Sequence, residues 1–134
     1  IGTHPAANHN AIAAALAFHR AIGVERKAAR LRWLRDRWAR RLVAESDRVR
    51  VLTPLDPTPA AGGGAPVHRA GAIGFFAVDG LDPTRLGAWL LEKHRVVTTP
   101  IVHAEFAGIR VTPNVYTTPD EVDRFAELVL RAVR

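Results

Sequence analysis

Arginine is the reactive side chain this sequence holds in abundance. Lys and Arg together number 19, of which 17 are arginine, against 13 acids, for a formal charge of +6. Arg110 stands out by its setting. It lies between Gly108-Ile109 and Val111-Thr112-Pro113, a stretch that reads as a strand and so can hold a side chain rigidly. A planar guanidinium held in this way offers two parallel donors that match a carboxylate, and a hydrogen bond to a charged group contributes roughly 1.5–3 kcal/mol. An edge-strand arginine, or one half of a salt bridge, would fit the same pattern. His103 and Glu105 fall in the loop just before this strand and could face a bound molecule or only solvent. Gly2-Thr3 precedes a long helix, where a threonine hydroxyl can serve as a cap.

Other chemistries are absent. There are no cysteines and no methionines, which excludes disulfides and thiolate metal sites. His9, His19, His68 and His94 show no metal-ligand spacing with carboxylates, so no metal is implied. Gly62-Gly63-Gly64 lacks the Lys-Ser/Thr that completes a P-loop and reads as a flexible surface connection within Thr53 to Pro66. Arg26, Arg30, Arg37, Arg40 and Arg41 fall largely off the apolar stripe of a helix. That pattern is a solvated face or a phosphate-binding ridge, but the aromatic and basic interleaving of a nucleic-acid module is missing. The apolar runs are too short to span a bilayer. Residue 1 is Ile and no signal segment follows, so a fragment or a processed piece is expected. With 134 residues, 48% of them hydrophobic and 24% charged, the chain reads as one globular domain.

The elements that must position these groups follow from periodicity. An Ala-rich helix begins near Ala11, with Ile12, Leu16 and His19 on one face, and stops at Gly23. A second helix runs from about Val24 to Glu45, with Leu31, Leu34, Trp38 and Leu42 at helical spacing. Val49 to Leu52 is a short strand. Ala72 to Val78 is the strongest strand candidate, and its apolarity implies either burial on both faces or a seat inside a sheet. Asp82-Pro83 caps and opens a helix with Leu86, Trp89 and Leu90 inward. Val96 to Ile101 and Ile109 to Thr112 are two more strands. Thr118 to Glu121 is a capping box, and Val122, Phe125, Ala126, Val129 and Val133 form the stripe of the last helix. This order predicts an α+β fold: a largely antiparallel sheet with helices on one face in residues 46–134, preceded by two bridging helices in residues 1–45.

Two segments carry more than pattern. Gly108-Ile109-Arg110-Val111-Thr112-Pro113-Asn114-Val115-Tyr116-Thr117-Thr118-Pro119-Asp120-Glu121-Val122-Asp123 resembles the C-terminal signature of the class V aminotransferases and their relatives, the cysteine desulfurases, selenocysteine lyases and isopenicillin N epimerases. That signature is an Arg on a strand, then Ser/Thr, a Tyr-Asn-Thr-like turn, and a helix opening with Glu and Asp. Gly2-Thr3 is similar to the Gly-Thr motif that follows the family's pyridoxal phosphate (PLP) domain. The resemblance extends over nearly the whole chain, and Arg110 to Asp123 is its most specific part.

The resemblance implies the small C-terminal domain of an aspartate-aminotransferase-like architecture (PLP fold type I), within a cytoplasmic homodimeric enzyme that acts on an amino acid by transamination, epimerisation or lyase chemistry. By this likeness Arg110 grips the substrate α-carboxylate. Thr3, with Gly2 beside it, binds the PLP phosphate of the neighbouring subunit, and His103 faces the substrate. Two departures matter. The loop from Thr98 to Ala107 has no Cys, so it cannot supply the thiolate of a desulfurase. Nor does Lys27, on the second helix, or Lys93, at a helix end, sit where a Schiff-base lysine would, so that residue is expected upstream of Ile1 and the chain alone is not catalytic. The alternative is a non-catalytic basic binding or dimerisation module. No membrane or nucleic-acid partner is expected. The uncovered apolar face of helix 11–22 predicts self-association.

Overall fold

The computed structural model describes residues 5–60, 62 and 64–134. They form α1 (Ala6–Ile22), α2 (Val24–Glu45), β1 (Val49–Val51), β2 (Gly74–Val78), α3 (Pro83–His94), β3 (Thr99–Val102), β4 (Ala107–Val111) and α4 (Pro119–Val133). The local rules explain most of these boundaries. Gly23, at φ 87°, turns the chain between α1 and α2, a conformation costly for any residue with a Cβ. Asp82 accepts from the backbone N–H groups of Thr84 and Arg85 at the start of α3. Thr118 and Glu121 form a reciprocal capping box at the start of α4. α1 begins at Ala6, five residues before the position expected, because an alanine-rich stretch extends as helix wherever nothing stops it.

The sheet is wholly antiparallel, in the order β1-β2-β4-β3. β2 therefore sits inside it, between β1 and β4, as its continuous apolarity suggests. One face is covered. Val49, Phe76 and Ile109 point into a core shared with Leu34, Trp38 and Leu42 of α2, Leu86 and Leu90 of α3, and Val122, Phe125, Ala126 and Val129 of α4. Trp38, Phe76 and Phe125 meet edge-to-face and tilted, with ring centroids 5.6–6.1 Å apart, an arrangement that adds to the area they bury. α3 lies close over β3: a Cβ on Gly87 would fall 2.3 Å from Pro100. Successive strand residues alternate faces, so Leu52, Ile73, Phe75, Gly108, Arg110 and Thr99 belong to the other side, and no helix among the described residues packs there.

Three strands are shorter than expected, whereas β4 is longer and starts at Ala107 rather than Ile109. Val96 was expected to begin a strand but its N–H closes α3 on the carbonyl of Leu90, and Arg95 turns left-handed at φ 59°; β3 starts only at Thr99. β2 begins at Gly74, against which the Trp38 ring lies so closely that a Cβ there would fall 2.4 Å from it. Between β1 and β2 the described residues of the connection carry a bridge, Thr58 to Val67. It is fastened by Arg35 of α2, which is fully buried and donates to the Gly71 carbonyl at 2.7 Å and to Asp36 Oδ1 at 2.7 Å. No helix among the described residues is long and apolar enough to cross a membrane.

Candidate functional site

Arg110 stands on β4 with Phe75 of β2 opposite it on one side and Thr99 of β3 on the other. All three side chains belong to the uncovered face. The guanidinium is exposed and reaches the Thr99 hydroxyl at 3.4 Å. Among the described residues no carboxylate lies within ion-pair distance of it. This contrasts with the other arginines near the sheet. Arg50 pairs with Asp79 at 2.9 Å, and Arg48 donates to the carbonyls of Asp79 and Val133. The Phe75 ring lies over Gly108, within 3.0 Å of where a Cβ would stand. It meets Phe106 edge-on at 5.6 Å. An unpaired guanidinium therefore stands beside an aromatic wall, an arrangement suited to a molecule with an anionic end and an apolar or flat remainder.

The segment after Arg110 is a joint that sets its strand. The Asn114 side chain accepts from the N–H of Val115, while the Asn114 N–H donates to the Thr117 hydroxyl and its carbonyl accepts from the Thr117 N–H. Arg30 of α2 donates to the Thr117 carbonyl at 3.1 Å. Glu121 closes the cap on Thr118, whose backbone N–H and hydroxyl hold its carboxyl below the ordinary range. Asp123 takes both donors of Arg37 of α2, at 2.6 and 2.7 Å, and is held low by that pairing. The residues that carry the family likeness thus tie β4, α4 and α2 into one piece.

Two comparisons with known proteins bear on this arrangement. No family model matches the chain. The probable hercynylcysteine sulfoxide lyase of Mycobacterium tuberculosis is 33% identical over 130 residues, covering 88% of this chain. The chain spans only 28% of that relative's length. It is thus similar to one part of a longer enzyme, a lyase.

The other residues singled out from sequence are distributed unevenly. His103 lies beyond the end of β3, four residues along from Thr99, which at about 3.3 Å per residue puts it some 13 Å from the Arg110 register. Its ring stacks on Phe106 at 5.0 Å, and its Nδ1 accepts from the Glu105 N–H. It therefore joins the far end of the aromatic wall rather than the guanidinium. Gly2 and Thr3 lie outside the described residues. Neither lysine stands on the Arg110 face: Lys27 on α2 contacts His19 Nδ1 at 2.7 Å, and Lys93 is on the last turn of α3. Among the described residues no group of three His, Cys, Asp or Glu is placed to hold a metal.

The arginine-rich face of α2 is largely occupied. Arg37 pairs with Asp123, Arg40 with Asp56, and Arg41 with Glu45 and Glu127. Arg30 and Arg37 also flank the Trp33 ring at 5.0 and 5.2 Å. Phe75 and Phe106 were not recognised as site residues from sequence. The available signal was Phe75 itself: once β2 is an interior strand with Phe76 in the core, its neighbour must face the side where Arg110 stands.

Proposed function

We propose that this chain is the C-terminal part of a PLP-dependent, class V aminotransferase-like enzyme acting on an amino acid, and that Arg110 binds the substrate's α-carboxylate. The observation that carries the reading is the Arg110 guanidinium, exposed, on a strand face where the described residues offer it no carboxylate partner and no covering helix. The signature-like joint behind it and the similarity to a lyase support the same reading. Of transamination, epimerisation and lyase chemistry, that similarity favours the lyase branch, which makes a cysteine-derived sulfoxide the first substrate to try. The reading carries with it a cytoplasmic homodimer in which Thr3 meets the cofactor phosphate of the neighbouring subunit. Residues 46–134 act as the small domain, and residues 1–45 lead to it.

The described residues do not by themselves fit PLP. They offer no lysine on the Arg110 face, and the Asp79 carboxylate near it is paired with Arg50, so on this reading the cofactor is held by protein beyond them and no chemical step is assigned to it. What the described residues do is bind and orient. Arg110 fixes the carboxylate in a two-pronged grip, Thr99 steadies the guanidinium, and Phe75 and Phe106 exclude water from one side of the bound molecule.

The test is substrate affinity in the full-length protein. Arg110→Gln is expected to weaken amino-acid binding about tenfold to a hundredfold, the worth of a hydrogen-bonded charge pair. Arg110→Lys keeps the charge but loses the fork, and is expected to recover only part of the affinity. Unchanged affinity in both variants would overturn the carboxylate role. The alternative of a basic binding module finds less support, since the arginines of α2 that suggested it are mostly engaged within the chain.

A further inference from the structure

The helix-covered side of the sheet, opposite Arg110, holds a cavity of about 340 Å³ between the α3–β3 connection, the end of β4 and the start of α4. Two buried polar atoms find no hydrogen-bond partner among the described residues, Nε1 of Trp38 and Oγ1 of Thr98. Both residues line this one cavity. Trp38 is 1% exposed, and an unmet buried donor is costly enough that its persistence calls for a partner. At the rim stand Arg95, held left-handed at φ 59°, and Arg124, which lends one N–H to the His94 carbonyl. The acid lining the cavity, Glu121, engages the Thr118 cap through its Oε2 oxygen.

Thr112, Tyr116 and Thr117 bring hydroxyls that can donate or accept, but the unmet floor groups and the rim cations favour donation. An indole nitrogen and two guanidinium groups can only donate, and the Thr98 hydroxyl can rotate to do the same. We propose that this cavity binds a small oxyanion, a carboxylate or a phosphate group, with Trp38 and Thr98 donating from the floor and Arg95 and Arg124 from the rim. The proposal does not depend on the function assigned to Arg110, which lies on the other face of the sheet.

The experiment follows the indole N–H signals in ¹H–¹⁵N TROSY spectra of the intact protein. Trp38→Phe identifies the Trp38 signal; if that core variant does not fold, Phe125→Leu, which removes a ring 5.7 Å from Trp38, identifies it by its shift. Inorganic phosphate and acetate are titrated separately at constant ionic strength, with chloride as the balancing salt. The Trp38 signal should move saturably with at least one of them, and which one moves it distinguishes phosphate from carboxylate. Thr98→Val, which keeps the side-chain shape, should weaken that binding about tenfold, and Arg110→Gln should leave it unchanged. A Trp38 signal that ignores both anions overturns the proposal, as does one that responds equally to chloride. So does a Thr98→Val protein that binds as tightly as the parent. Cross-peaks to water without any response to anions would assign the cavity to ordered water and overturn it as well.

Discussion

At the level of single residues, the chain shows how far local chemistry is legible and where it stops. Asp82, Thr118 and Glu121 could be assigned their caps from sequence because their partners lie two or three residues away. Arg35 could not. Its partners include the carbonyls of Gly71 and Leu55, 36 and 20 residues distant, and a backbone carbonyl leaves no mark in a sequence. Arg37 and Asp123 are similar, since their pairing depends on α4 lying across α2. Glu121 and Asp123 both have carboxyls held low, the first by the Thr118 N–H and hydroxyl, the second by Arg37. Their folded values lie below those of the unfolded chain. The stability they contribute is therefore complete above about pH 5 and is lost as pH falls through the folded values. Thermal unfolding followed from neutral pH downward is expected to show the midpoint falling in that acid range. Asp123→Asn should begin less stable at neutral pH and fall less steeply there.

At the level of elements, α2, α3 and α4 match their expected bounds to within a residue because caps and apolar stripes agree. The starts of β2, β3 and β4 do not, each falling two or three residues from its expected position, and close approach sets some of the sheet's contacts. Gly108 is the clearest case. A Cβ there would fall 2.3 Å from the Phe76 carbonyl oxygen and against the Phe75 ring, and backbone cannot step aside as a flexible side chain can. Gly108→Ala is expected to destabilise by roughly 1–3 kcal/mol, read as a lower midpoint in urea with an unchanged slope. Thr118→Ala removes a cap and should cost about 1 kcal/mol. Because Thr118 ends the joint that sets β4, a loss of substrate affinity accompanying that modest cost would show that the joint also positions Arg110. The site itself was partly legible: Arg110 was recognisable from its strand and motif, whereas its aromatic neighbours emerged only once β2 and β4 were adjacent.

For the molecule as a whole, the two leading helices behave differently. α2 supplies Leu34, Trp38, Ala39 and Leu42 to the core, whereas α1 buries none of its residues and leaves Ile12, Leu16 and Phe18 about half or more exposed. Both read as amphipathic in sequence, and only tertiary packing separates them. A chain lacking residues 1–22 is expected to lose helical circular-dichroism signal yet keep its cooperative unfolding, with a change within about 1 kcal/mol. The uncovered apolar surface also predicts that the isolated 134-residue chain self-associates, and that the truncated form does so less in size-exclusion chromatography. A complete chain that elutes as a sharp monomer would contradict this.

The outer strands decide what form any such association takes. β1 has only three residues, and β3 carries Pro100 in its middle, a residue with no N–H to offer a newcomer. Short edges and edge prolines are how natural sheets resist templated growth. Copies of this chain that stick together should therefore meet through their faces, forming bounded or amorphous assemblies, and should not lengthen strand by strand into fibrils.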